Sequence, residues 1–277
     1  MGKALVLGGG GIAGLAWEIG VLAGLGDAGV DLSDADLVLG TSAGAAAGAQ
    51  LLSGLDLDEL YERQLRPPDA EVAARPGWWS RLRTAGALLA ARSPETGRAR
   101  VGRFASDAAR FSQAVREPVI ASRLPSAAWP ERNLVVTAVD AHSGAPRTFS
   151  RNDGVDLVRA VSASSAVPGL WPPVEIGGRW YLDGGVRSAT NADLAAGYER
   201  VVVLAPVSPL LPRLPRPEAE LAALPEGTRH ALVVPSPEAR AVFGRASADP
   251  ARRAAAARAG RTQAVEAAVR VARVWGV

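Results

Sequence analysis

Residues 36–46 read DLVLGTSAGAA. The short apolar run 37–39 leads into Gly40-Thr41-Ser42-Ala43-Gly44, and small residues that suit a helix follow. G-x-S-x-G between a strand and a helix is the pattern of a serine nucleophile on a sharp turn, with Oγ exposed at the carboxyl end of a sheet. Gly40 and Gly44 carry no Cβ, so strand and helix can approach closely around the turn. The helix that starts there points free N–H groups and a positive dipole end at the same spot. The competing reading is a plain glycine-rich turn in a chain with 30 glycines. A serine nucleophile also needs a base. The chain has two histidines, His142 and His230, and neither lies in a stretch that looks built for catalysis.

Composition narrows the chemistry. The 277 residues are 48% hydrophobic and 21% charged, ordinary values for a globular protein with a substantial core. There is no cysteine, which excludes disulfides, thiolate metal sites and cysteine nucleophiles. Two histidines far apart in sequence argue against a histidine-rich metal site. The net charge is +3, and Lys3 is the only lysine among 31 basic residues. Such an arginine- and alanine-rich makeup reflects GC-rich coding, so arginine is discounted as a functional signal. No basic run interleaved with aromatics suggests nucleic acid. The opening MGKALVLGGGG reads as a strand rather than a secretory leader, and no apolar run approaches the ~20 residues of a membrane span. A cytoplasmic protein is expected.

Outward from the serine turn, the chain alternates strands and helices. Residues 4–7 form a buried strand ending in four glycines, and 14–28 a helix apolar on most sides. Strand, helix, strand, helix predicts a parallel sheet covered on both faces. Helices are expected at 57–65, 79–91, 101–115 and 155–163. Strands are expected at 134–139 and 147–150, at 174–176 and 179–182 around Gly177-Gly178, and at 201–204 and 231–234. A final helix over 251–274 is expected to carry Val265, Val269 and Ala272 on one face and its arginines on the other. Residues 206–227 contain six prolines and read as a long irregular loop. The whole chain, 1–277, is expected to form one α/β domain with a mostly parallel sheet between helical layers.

Two further stretches bear on the chemistry. In LVLGGGGIAG, Gly9-x-Gly11-x-x-Gly14 matches the dinucleotide fingerprint, with Asp31 at a suitable distance beyond it. Exposed N–H groups of such a loop can equally hold an oxyanion. Loops after adjacent parallel strands open on the same edge, so this loop and Ser42 would face one pocket, as acyl transfer requires. A ribose-binding carboxylate should instead end the second strand, where this chain has Gly40-Thr41-Ser42. In GRWYLDGGVRS, Asp183 stands at a strand end before Gly184 and Gly185; alone, this reads as a turn or a helix cap.

Together, GGGGIAG, GTSAG and DGG, in that order, resemble the patatin-like phospholipase family over about residues 4–206. Residues 207–277, a loop, a strand and the last helix, match nothing nameable. The resemblance implies a three-layer fold related to the α/β-hydrolases and a Ser–Asp dyad without histidine. Ser42 would be the nucleophile, Asp183 the base, and Gly9, Gly10 and Gly11 the oxyanion donors, with no cofactor or metal. Gly14, Gly40, Gly44, Gly184 and Gly185 are the remaining motif glycines. Ala13 departs from the family, whose loop usually carries Arg or Lys there. The implied function is hydrolysis of lipid acyl esters, with peripheral membrane contact. A dinucleotide-binding protein and a non-catalytic lipid-binding relative are the alternatives. Trp78, Leu82, Ala85 and Leu89 share one helical face near Arg81, Arg83 and Arg92, which suits either an interfacial helix or one packed over the core. Leu210, Leu211, Leu214, Leu221 and Leu224 of the proline-rich loop suit a solvated connector or a mobile lid.

Overall fold

The computed structural model describes residues 2–67, 77–105, 107, 112–207, 214–244 and 247–277. Among the described residues, eight strands form one sheet: β1 (Lys3–Leu7), β2 (Leu37–Thr41), β3 (Leu134–Asp140), β4 (Pro146–Phe149), β5 (Val174–Ile176), β6 (Arg179–Asp183), β7 (Arg200–Leu204) and β8 (Arg229–Val233). The helices are α1 (Gly11–Asp27), α2 (Ala43–Leu51), α3 (Leu57–Leu65), α4 (Trp78–Leu89), α5 (Pro94–Ala105), α6 (Gln113–Arg123), α7 (Leu157–Ser164), α8 (Pro217–Ala222), α9 (Pro237–Phe243) and α10 (Arg253–Trp275).

The strand order is β5-β6-β3-β2-β1-β7-β8, with β4 also on β3. The central pairs β3–β2, β2–β1, β1–β7 and β7–β8 are parallel, and the pairs β3–β4, β3–β6 and β5–β6 are antiparallel. β1 and β2 are buried almost throughout, as expected for strands covered on both faces. Three neighbours crowd β3, and the register shows how. β4 covers residues 136–139 of β3 along one edge. On the other edge β2 ends with Thr41 opposite Thr137, and β6 takes over with Asp183 opposite Ala138. The ends of β2 and β6 therefore meet head to head.

α1 is buried from Ile12 to Leu25 and packs against α10, α2 and α3. α1 and α10 cross at backbone contact: a Cβ on Gly20 would come within 2.1 Å of Ala257 O, and one on Gly260 within 2.3 Å of Trp17 O. This crossing does not bury the face of α10 that carries Val265 and Val269, although Ala272 packs against the core. The buried stripe of α10 is Ala256, Ala257, Gly260, Ala264 and Val271, whereas Val265 and Val269 are 71% and 72% exposed. Close approach selects the smallest side chains over the most apolar ones.

Two expectations are corrected. The helix expected over 101–115 is instead the end of α5 and the start of α6. Residues 206–227 are not irregular throughout, because Pro217 opens α8 at a first-turn position that needs no N–H. Leu221 of α8 lies in the core beside β1 and β7, so neither a solvated connector nor a lid describes this part. Leu210 and Leu211 lie outside the described residues. Among the described residues, no helix is long and apolar enough to cross a membrane.

Candidate active site

Ser42 joins β2 to α2 with φ 54° and ψ −111°. It is one of two non-glycine residues with positive φ among those described. This backbone is strained by about 1–3 kcal/mol, and the surrounding packing enforces it. A Cβ on Gly40 would sit 2.4 Å from Ala45 Cα, and one on Gly44 2.1 Å from Leu7 O. Both positions admit glycine alone. The Ser42 N–H is donated to Ser164 Oγ at 2.8 Å, and the Ser42 hydroxyl to Asp183 Oδ2 at 2.8 Å.

Asp183 reaches Ser42 through the shared edge of β3. It is buried, and its Oδ1 accepts the Gly185 N–H at 2.6 Å. Burial pushes its carboxyl up to about 6, although the bonds from Gly185 and Ser42 and the Arg116 cation pull the other way. Gly184 is required by contact, since a Cβ there would meet Thr137 Oγ1 at 2.3 Å. The Asp183 N–H is donated to Ala166 O at 3.1 Å. The C-terminal end of α7 thus anchors the backbones of both Ser42 and Asp183, through Ser164 and Ala166.

Arg116 of α6 holds that end in place. It is fully buried, and its Nη2 donates to Ser162 O at 2.6 Å and Ser165 Oγ at 2.8 Å. Its guanidinium also stands 5.0 Å from the Trp171 ring. Burial pulls Arg116 down to about 9. Discounting arginine by composition hid this residue. The signal available was an arginine in the same helical register as the apolar Val119 and Ile120.

The glycine loop follows β1. The Gly8 N–H is donated to Leu204 O, and the Gly9 N–H to Ala189 O at 2.7 Å. Gly9 is thus not a free donor, unlike the expectation for it. A Cβ on Gly9 would lie 3.5 Å from Ser42 Cβ, so the loop runs directly beside the serine. α1 begins at Gly11, which leaves the Gly11 and Ile12 N–H groups without acceptors inside their own helix. Pro206 packs against both Gly10 and Gly14. Ala13 is fully buried with its N–H on Ser247 O.

A polar layer beneath the turn was missed by sequence reasoning. Asn191, in the left-handed region at φ 54°, donates from Nδ2 to Thr41 Oγ1 at 3.0 Å and Ser188 O at 2.9 Å. Thr41 Oγ1 in turn bonds Thr137 Oγ1 at 2.9 Å. One threonine in each of two apolar strands, LVLGT and LVVTAVD, was the available signal.

His142 and His230 are both exposed, in the β3–β4 turn and on β8. Asp31 sits in the loop entering β2, bonded to Ser33, on the sheet edge opposite the glycine loop. It cannot serve a ligand held at Gly9–Gly11. A cavity of about 750 Å³ lined by Asp27, Asp31, Leu55 and Asp58 touches neither Ser42 nor Asp183.

The sequence model of the patatin-like phospholipases matches residues 5–196, a span that holds the glycine loop, the serine turn and Asp183. The chain belongs to the patatin-like phospholipase family. No curated protein matches it. Among solved structures it is similar to VipD from Legionella pneumophila, at 16% identity and a TM-score of 0.48, over 96% of this chain and 66% of that one. It is also similar to the type III effector protein ExoU, at 17% identity and a TM-score of 0.43, over 98% of this chain and 53% of that one. This patatin-like chain thus spans less than two thirds of either structure's length. Its family match ends at residue 196, so β7, α8, β8, α9 and α10 lie beyond it.

Proposed function

We propose that this patatin-like protein is a serine hydrolase of lipid acyl esters that works through Ser42 and Asp183. The observation that carries this reading is the 2.8 Å hydrogen bond from Ser42 Oγ to a buried carboxylate. Family membership supplies the substrate class.

The chemistry follows from the geometry. As Ser42 Oγ attacks the ester carbonyl carbon, its proton passes to Asp183 Oδ2. A carboxyl raised to about 6 is ionised at neutral pH and more basic than a solvated aspartate. The carbonyl oxygen becomes an oxyanion, held by the N–H groups of Gly10 and Gly11 at the positive end of α1. Gly9 shapes the loop and does not donate, since Ala189 O takes its N–H. Collapse of the tetrahedral adduct expels the alcohol, which takes the proton from Asp183. Water, deprotonated by the same carboxylate, then releases the fatty acid and restores Ser42.

The test is turnover of a nitrophenyl acyl ester together with labelling by a fluorophosphonate. Wild type is expected to hydrolyse the ester and to be labelled at Ser42, and Ser42→Ala to do neither while melting normally. Undiminished turnover in Ser42→Ala would end the reading. A wild type that neither turns over nor labels would leave a lipid-binding relative without catalysis.

A further inference from the structure

The α4 helix carries an apolar face that nothing in the described fold covers. Trp78, Trp79 and Leu82 are 60%, 64% and 54% exposed. The two indoles stack on each other with centroids 3.6 Å apart. At about 3.6 residues per turn, Trp78 and Leu82 stand one above the other with Trp79 beside them. The same spacing puts Arg81 on one rim of this stripe and Arg83 on the other. Both arginines are exposed, and residues 78–92 contain three arginines and no carboxylate. Arg83 also covers the Phe104 ring at 4.4 Å.

The opposite face of α4 is fixed to the walls of the site. Ser80 is buried, donates to Pro168 O, and presses on Gly169, just beyond the Ala166 carbonyl that accepts the Asp183 N–H. Ala87 and Leu88 pack against the cluster that contains Leu182 and Val186, on either side of Asp183 in the chain. The exposed stripe is therefore rigidly linked to the neighbourhood of Ser42.

We infer that the Trp78–Trp79–Leu82 face of α4 docks on an anionic lipid surface and brings the site to its substrate. Tryptophan seats at the level of the headgroups, leucine enters the acyl boundary, and flanking arginines meet lipid phosphates. The charge pattern selects this occupant: two arginine rims without a carboxylate suit an anionic bilayer, whereas two copies of the face would set arginine against arginine. This inference deepens the lipid-hydrolase reading and rests on it for its purpose.

The experiment uses the full chain with vesicles of phosphatidylcholine alone or mixed with phosphatidylglycerol. Wild type is expected to co-sediment with the mixed vesicles, less with phosphatidylcholine alone, and less again in high salt. Trp78→Ser/Trp79→Ser is expected to lower that partitioning about tenfold or more, the two indoles being most of the apolar surface offered. Arg81→Gln/Arg83→Gln is expected to abolish the preference for phosphatidylglycerol. In the tryptophan variant, turnover of vesicle lipid should fall relative to turnover of a soluble nitrophenyl ester. Ser42→Ala should partition like wild type, so loss of catalysis and loss of docking are separable. Unchanged partitioning of the tryptophan variant, an equal fall in both turnovers, or a wild-type dimer that this variant dissociates would each overturn the inference.

Discussion

Asp183 and Thr41 occupy consecutive positions along one edge of β3, opposite Ala138 and Thr137. The next residue after Thr41 is Ser42, so this register alone delivers a serine hydroxyl to a carboxylate 141 positions away in the chain, at 2.8 Å. β2 and β6 run toward one another there, and both side chains emerge where the two strands stop. The first expectation tests that partnership. Asp183→Asn keeps the size of the side chain and an acceptor for the Gly185 N–H, but it cannot take a proton. It is expected to lower kcat/KM about 10³-fold, within the range for a general base. The His142→Ala/His230→Ala double variant should keep most activity. Nitrophenyl ester kinetics with thermal melts on each variant decide it.

Activity should follow the Asp183 carboxyl through acid. Its free-enzyme value is raised to about 6 by burial, and the ionised form is the base. The plot of kcat/KM against pH should therefore be flat above about 7 and fall tenfold per pH unit below about 5. A flat profile down to pH 4.5 would mean that some other group accepts the proton.

The same shift has a cost in stability, with the opposite slope. The folded carboxyl lies above its unfolded value, so the folded state holds the proton more tightly. This favourable contribution is complete at low pH and is lost as pH rises through about 6. Asp183→Asn removes the buried charge and is expected to stabilise the protein by on the order of 2–3 kcal/mol at pH 8, and hardly at pH 4. Melting temperatures of both forms at the two pH values read this directly.

Gly9 and Gly10 should differ despite being neighbours. A Cβ on Gly10 would fall 2.6 Å from Pro206 Cβ and 2.8 Å from Gly14 Cα, whereas on Gly9 the nearest atom is 3.5 Å away. Gly10→Ala is expected to displace the donors and to lower kcat about 10²- to 10³-fold with little change in KM. Gly9→Ala should lose clearly less. Equal losses in the two variants would return Gly9 to the donor set.

Arg116 is expected to act on the base without touching substrate. Its cation lowers the Asp183 carboxyl, and its bonds to Ser162 O and Ser165 Oγ hold the segment that anchors both residues. In Arg116→Met the acid limb should move to higher pH and kcat should fall, while Arg116→Lys should return the limb part of the way. An unmoved limb in Arg116→Met would reduce Arg116 to packing.

What the sequence determined by itself was local. Gly40-Thr41-Ser42-Ala43-Gly44 names a strand-to-helix turn by its pattern, and Gly40 is demanded by the turn's own backbone at Gly44 and Ala45, although Gly44 is demanded by Leu7 of β1. Alternating strands and helices likewise announced a mostly parallel sheet, since burial on both faces leaves a continuous apolar run. Tertiary structure alone decided the rest. Asp183 in its own segment reads as an ordinary turn, and only the split edge of β3 makes it the neighbour of Ser42. Gly9 looked like a donor until the carbonyl of Ala189, 180 residues away, took its N–H. Val265 and Val269 share an apolar face of α10, yet the α1–α10 crossing is so close that Gly20 and Gly260 were preferred and the valines were left in water. Arg116 was invisible by composition, because what makes it matter is full burial against α7. In each case the missing information is a long-range contact: a chain can state its local dihedral preferences, but which backbone will come within 3 Å of it depends on how the whole sheet is assembled.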